Sequence, residues 1–140
     1  MFDILVQQIR TEATNLGISE LHTPEEVDAM LANRKGTTLV FVNSVCGCAG
    51  GIARPALKLA LQHPTKPNFI TGVFASTDRE ATARARSYFT DMPSSSPSYA
   101  LLRDGKLVQR IHRSDIEPRE PDDVATLLTE MFDRYCKDES

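Results

Sequence analysis

The chain has 140 residues, 41% of them hydrophobic and 25% charged, with a formal net charge of -3. That is enough apolar content to bury one core, as in a single domain spanning 1–140, and the balance is too ordinary for a disordered or fibrous protein. Acidic and basic residues are interspersed with no Lys or Arg stripe, and apolar runs are strand-sized, which speaks against nucleic acid and membrane as partners.

The N-terminus MFDILVQQIR lacks the basic and apolar regions of a secretion signal, so a cytoplasmic location is expected. Phe2, Leu5, Val6, Ile9, Ala13 and Leu16 repeat with helical spacing, and Asn15 and Gly17 bracket the stop, which predicts a helix over 2–15. Ile18 to Leu21 reads as a short strand. Thr23-Pro24-Glu25-Glu26 supplies an N-cap, an N1 proline and a capping-box Glu for a helix over 24–34.

Thr38 to Val42 is a β-branched, nearly continuous apolar run that suits a strand covered on both faces. Helical spacing resumes from Ala53 to Leu61, interrupted by Arg54-Pro55, which either kinks the helix or marks its first turn. Phe69 to Phe74 is a second buried strand, and Thr77-Asp78-Arg79-Glu80 reads as another capping box, opening a helix that carries Ala81, Ala85, Tyr88 and Phe89. After the loop DMPSSSPS, Tyr99–Leu102 and Lys106–Ile111 flank Arg103-Asp104-Gly105 as a hairpin. Pro121-Asp122-Asp123 opens a final amphipathic helix with Val124, Leu127, Leu128, Met131, Phe132 and Tyr135. Alternating buried strands and helices ending in a hairpin predict an α/β fold with a mostly parallel sheet, whose ligand crevice lies at the carboxyl ends of its strands.

Two of the three cysteines, Cys46 and Cys48, follow the first buried strand at such an end, in VCGCAGG. Three readings are open. As a redox dithiol, the pair closes a disulfide only if the chain turns between them, which Gly47 permits, and so small a ring makes the bond strained and easily opened. A helix starting just beyond would lower the pKa of Cys46 and make it the nucleophile, with Cys48 as resolving thiol. As a metal site, the pair needs Cys136, His63 or His112 to complete the shell. As core residues, both are simply small and apolar. The histidines are scattered, and Cys136 near the end of the last helix reads most simply as a packing residue.

Strand, paired cysteines, helix with an internal proline, then proline before a hairpin and a closing helix resemble a thioredoxin-like fold, a central mixed sheet flanked by helices, here with an extra N-terminal helix. The segments NLGISEL, GTTLVFVNSVCGCAGGIARP, SSPSYALLRDGKLV and IHRSDIE through RYC are similar to the bacilliredoxin family. The resemblance implies a cis bond before Pro97, facing the cysteines, with Pro55 as the kink of the active-site helix. It implies removal of bacillithiol from S-bacillithiolated proteins, with no bound cofactor and bacillithiol as co-substrate: Cys46 takes the small thiol onto itself, and bacillithiol or Cys48 clears it, the resulting disulfide being reopened by an external disulfide reductase. General disulfide reductase or isomerase activity is also associated with the family. Asn43, Ser44, Gly47, Arg54, Ser96 and Pro97 are expected to support the site or bind the thiol, and Arg113 lies in the similar tail. One departure is that Gly50-Gly51 follows Ala49 where a second alanine is expected, a change that would loosen the helix start.

Overall fold

The computed structural model describes residues 2–32, 35–44, 49–89 and 96–136. Its elements are α1 (Phe2–Asn15), β1 (Ser19–Glu20), α2 (Pro24–Leu31), β2 (Thr37–Asn43), a π-helical turn (Ala49–Ala53) running into α3 (Arg54–Ala60), β3 (Phe69–Phe74), α4 (Arg79–Arg86), β4 (Ser98–Arg103), β5 (Lys106–Ile111), α5 (Arg113–Ile116) and α6 (Pro121–Tyr135). The strands form one sheet in the order β1-β3-β2-β4-β5. β3 pairs parallel with both β1 and β2, while β4 pairs antiparallel with both β2 and β5.

Strand periodicity divides the core between the two faces of the sheet. Leu39 and Phe41 of β2, with Tyr99 and Leu101 of β4, point into one cluster with Ala13 of α1, Leu57 of α3 and Leu128 of α6. Val40, Val42, Ala100 and Leu102 point into the other, with Val27 of α2 and Ala85 of α4. Every residue of β2 is buried, as expected of a central strand covered on both faces. Asp104 and Gly105, both at positive φ (53° and 83°), make the two-residue turn that the right-handed twist of a hairpin favours.

Several local expectations need correction. α2 stops at Leu31, with Ala32 as C-cap, instead of reaching residue 34. Thr23 Oγ1 accepts the Glu26 N–H as foreseen (3.1 Å), but the Glu26 carboxylate takes the N–H of His22 at 2.6 Å. No capping box forms at Thr77–Glu80: Asp78 is the N-cap of α4 and its side chain makes no cap bond. Longer-range partners have claimed these side chains, because Arg10 Nη2 donates to Thr77 Oγ1 (2.7 Å) and to Asp78 Oδ2 (3.0 Å). Tyr88 and Phe89 follow α4 in a turn instead of continuing it, and the short α5 had no counterpart in the sequence reading. The Arg54-Pro55 ambiguity resolves into a change of helix type. The helical run begins at Ala49, and Pro55 occupies the first turn of the α-helical part, where a missing N–H costs least.

Candidate active site

Cys46, Gly47 and Cys48 lie outside the described residues, between Ser44 at the carboxyl end of β2 and Ala49 at the start of the helical run. Asn43 and Ser44 are buried (4% and 6% exposed), and Asn43 Oδ1 accepts both the N–H of Ser44 and a proton of Arg54 Nη1, each at 2.9 Å. The same Nη1 donates to the Ser44 carbonyl at 3.2 Å, and Arg54 Nε donates to Glu12 Oε1 at 2.9 Å. A guanidinium buried this deeply must have its donors met. Arg54 therefore acts as a strut that ties α3 to the end of β2 and to α1, and its 5% exposure leaves it poorly placed to receive the carboxylates of a small thiol.

Gly50 fits this arrangement. A Cβ there would stand 2.8 Å from Arg54 Nη2, whereas one at Gly51 would meet no atom within 4 Å.

The Ser96-Pro97 bond is cis, as expected. Ser98 pairs with Val42 in the antiparallel register, so one residue further along each strand brings buried Pro97 alongside Asn43. Pro97 thus flanks the chain as it leaves β2 toward Cys46.

Four supporting residues were not assigned a role from sequence. Arg113 Nη1 donates to the carbonyl of Ser96 at 3.2 Å, anchoring the chain just before Pro97. Arg110 donates to Ser98 Oγ (3.1 Å) and lies over the ring of Phe89. The Tyr99 hydroxyl donates to the Ala53 carbonyl at 2.6 Å, pinning the π-to-α junction to the sheet, while the ring stacks on Phe41 at 5.2 Å. Burial raises the pKa of that hydroxyl far above the usual tyrosine range. Glu12 completes the set. The signals were slight: Arg113 falls within IHRSDIE, while Tyr99 and Glu12 read only as members of a strand and a helix.

The metal reading loses Cys136 as an outside ligand. Cys136 is half-buried and hydrogen-bonded to Thr37, at the amino end of β2; burial raises its thiol pKa, more than the Thr37 bond and nearby Arg103 lower it. β2 spans seven residues, so about 20 Å separate that end from Asn43, and two residues beyond Ser44 reach back only about 7 Å. His63 pairs with Asp133 at 2.9 Å, and His112 is the N-cap of α5, its backbone N–H donating to Asp115 Oδ2. Among the described residues no group of three His, Cys, Asp or Glu side chains is placed to hold a metal ion.

A mixed sheet with a cis proline beside the carboxyl end of its central strand, the strand that leads into the CGC segment, defines a thioredoxin fold. The thioredoxin of Malassezia sympodialis superposes with a TM-score of 0.59 at 12% identity, covering 85% of this chain and 90% of that one. The reduced thioredoxin pre-protein of Schistosoma mansoni gives 0.58 at 16%, covering 84% and 97%. Within that class the sequence is more specific. A family model described as disulphide isomerase matches residues 2–136. A bacilliredoxin of Geobacillus kaustophilus is 54% identical over 138 residues, 99% of this chain and 94% of the relative, and one of Koribacter versatilis is 50% identical over 134 residues, 96% and 92%. The chain belongs to the bacilliredoxin family and is a thiol-disulfide oxidoreductase.

Proposed function

We propose that this protein removes bacillithiol from S-bacillithiolated proteins in the bacterial cytoplasm, with Cys46 as nucleophile and Cys48 as resolving thiol. The observation that carries this reading is the frame around the CGC segment: the chain enters it from the carboxyl end of β2 beside cis Pro97 and leaves it directly into a helical run from Ala49 to Ala60. The positive end of that run favours the thiolate over the thiol, and the thiolate is the reactive form.

The Cys46 thiolate attacks the bacillithiol sulfur of a protein mixed disulfide. The protein sulfur leaves as a thiolate and takes up a proton, and a Cys46–bacillithiol disulfide remains. A second bacillithiol thiolate then attacks that adduct, releasing bacillithiol disulfide and regenerating Cys46. Alternatively Cys48 attacks the Cys46 sulfur and expels bacillithiol, leaving a Cys46–Cys48 disulfide that an external dithiol reductase reopens with two electrons. No bound metal or prosthetic group is required. Asn43, Ser44 and Arg54 hold the end of β2, Gly47 permits the turn between the thiols, and Ser96-Pro97, fixed by Arg113, offers the facing surface for the incoming disulfide.

The description of the matching family favours a second reading, that the physiological substrate is a disulfide within a protein. Turnover of a scrambled protein measured beside that of a bacillithiolated one separates the two. A large preference for the bacillithiolated substrate supports the proposal, and a preference for the scrambled protein replaces it with isomerase activity.

A further inference from the structure

The charge network at the end of β2 reaches further than the thiol segment. Arg54 carries a charge that it cannot lose, in a position that water barely reaches. Two of its partners, the Asn43 side-chain oxygen and the Ser44 carbonyl, are neutral; among the described residues the carboxylate it engages is Glu12 of α1. The Ser44 carbonyl is two residues before Cys46, within about 7 Å of chain. Of the other charged groups at this end of the sheet, Arg110 of β5 donates to Ser98 Oγ and lies over the Phe89 ring. Glu20 borders the small cavity beneath Asn43 but is paired with Arg10 (3.2 Å), which also binds Asp78, and His22 lies 3.1 Å from Asp78. On the Pro97 side, Arg113 pairs with Glu117 at 2.8 Å.

We propose that Glu12 is a positioning residue of the thiol site: by pairing with Arg54 it sets how much positive charge the end of β2 presents to Cys46. The N-terminal helix thus restrains the nucleophile, whereas the helical run after Cys48 activates it. The inference rests on Cys46 as the nucleophile but not on the identity of its substrate.

The test is the pH dependence of Cys46 alkylation by iodoacetamide in the full-length Cys48→Ser protein, read by peptide mass spectrometry so that Cys136 does not interfere. Glu12→Gln unmasks the Arg54 charge and lowers the inflection by about 0.2 unit or more; Arg54→Met raises it, and Arg54→Lys restores most of the wild-type value. In Arg54→Lys,Glu12→Gln the shift persists, because the charge persists. A merely structural role would change the plateau rate without moving the inflection. A smaller shift in Glu12→Gln, or a rise, overturns the proposal, and because Glu12 is half exposed this variant is informative even if Arg54→Met fails to fold. Reduction of a bacillithiol mixed disulfide is assayed separately with the Cys48-containing variants. An unmoved inflection with normal turnover rejects the Glu12 role alone, whereas a moved inflection without turnover in any variant, wild type included, supports that role and rejects bacillithiol as substrate.

Discussion

The two glycines after Ala49 look equivalent in sequence, yet one faces Arg54 and the other faces open space. Gly50→Ala forces the guanidinium off partners that hold it on three sides and should destabilise the protein by about 1 kcal/mol. Gly51→Ala meets no obstacle and should stabilise by about 0.4–1 kcal/mol, since alanine restricts the unfolded chain and favours the helix. Urea denaturation of the two variants checks this, and equal effects would contradict the packing described. Gly50 makes room for the residue that ties the helix start to β2. The space that Gly50 leaves was not legible in sequence, because it depends on the rotamer of a side chain four residues away.

At the scale of elements, Tyr99 joins β4 to the helical run below the cysteines. Tyr99→Phe removes the bond to the Ala53 carbonyl and should cost about 1 kcal/mol, measured by the same denaturation. The folded-state pKa of Tyr99 is raised by burial, so its contribution is fully present below the unfolded value near 10 and is lost as pH rises above it. The wild type should therefore lose stability above about pH 10 more steeply than Tyr99→Phe; parallel pH curves would show that the hydroxyl is not the group responsible. Most elements were readable because their signals are local: the near-continuous apolar run of β2, the Asp-Gly turn, the Thr23 cap. The failures came where a distant partner overrode a local one. Thr77 and Asp78 form a plausible cap in sequence, but Arg10, 67 and 68 residues away, binds both side chains. α5 is a single turn whose pattern is too short to show periodicity.

Across the whole molecule, β2 runs between the two stretches of chain that carry the cysteines. Cys46 and Cys48 follow the carboxyl end of β2, while Cys136 sits at its amino end against Thr37 with a raised thiol pKa. Mild oxidation should thus remove two protons from the intact protein and leave Cys136 alkylatable after unfolding; a disulfide containing Cys136 would contradict this placement. The strand that leads into the cysteines was legible from LVFVNS, and the family from the motifs around it. What holds the surrounding frame was not, since Glu12, Arg54, Arg113 and Tyr99 act through contacts between residues far apart in sequence. The central claim is that Cys46 accepts the small thiol and Cys48 resolves it. Its most direct test is mass spectrometry of a bacillithiolated protein mixed with the Cys48→Ala and Cys46→Ser variants. The account predicts bacillithiol bound to Cys46 of Cys48→Ala in an amount matching the protein thiol released, and no transfer to Cys46→Ser. An adduct on Cys48 of Cys46→Ser, with none on Cys46 of Cys48→Ala, would contradict it.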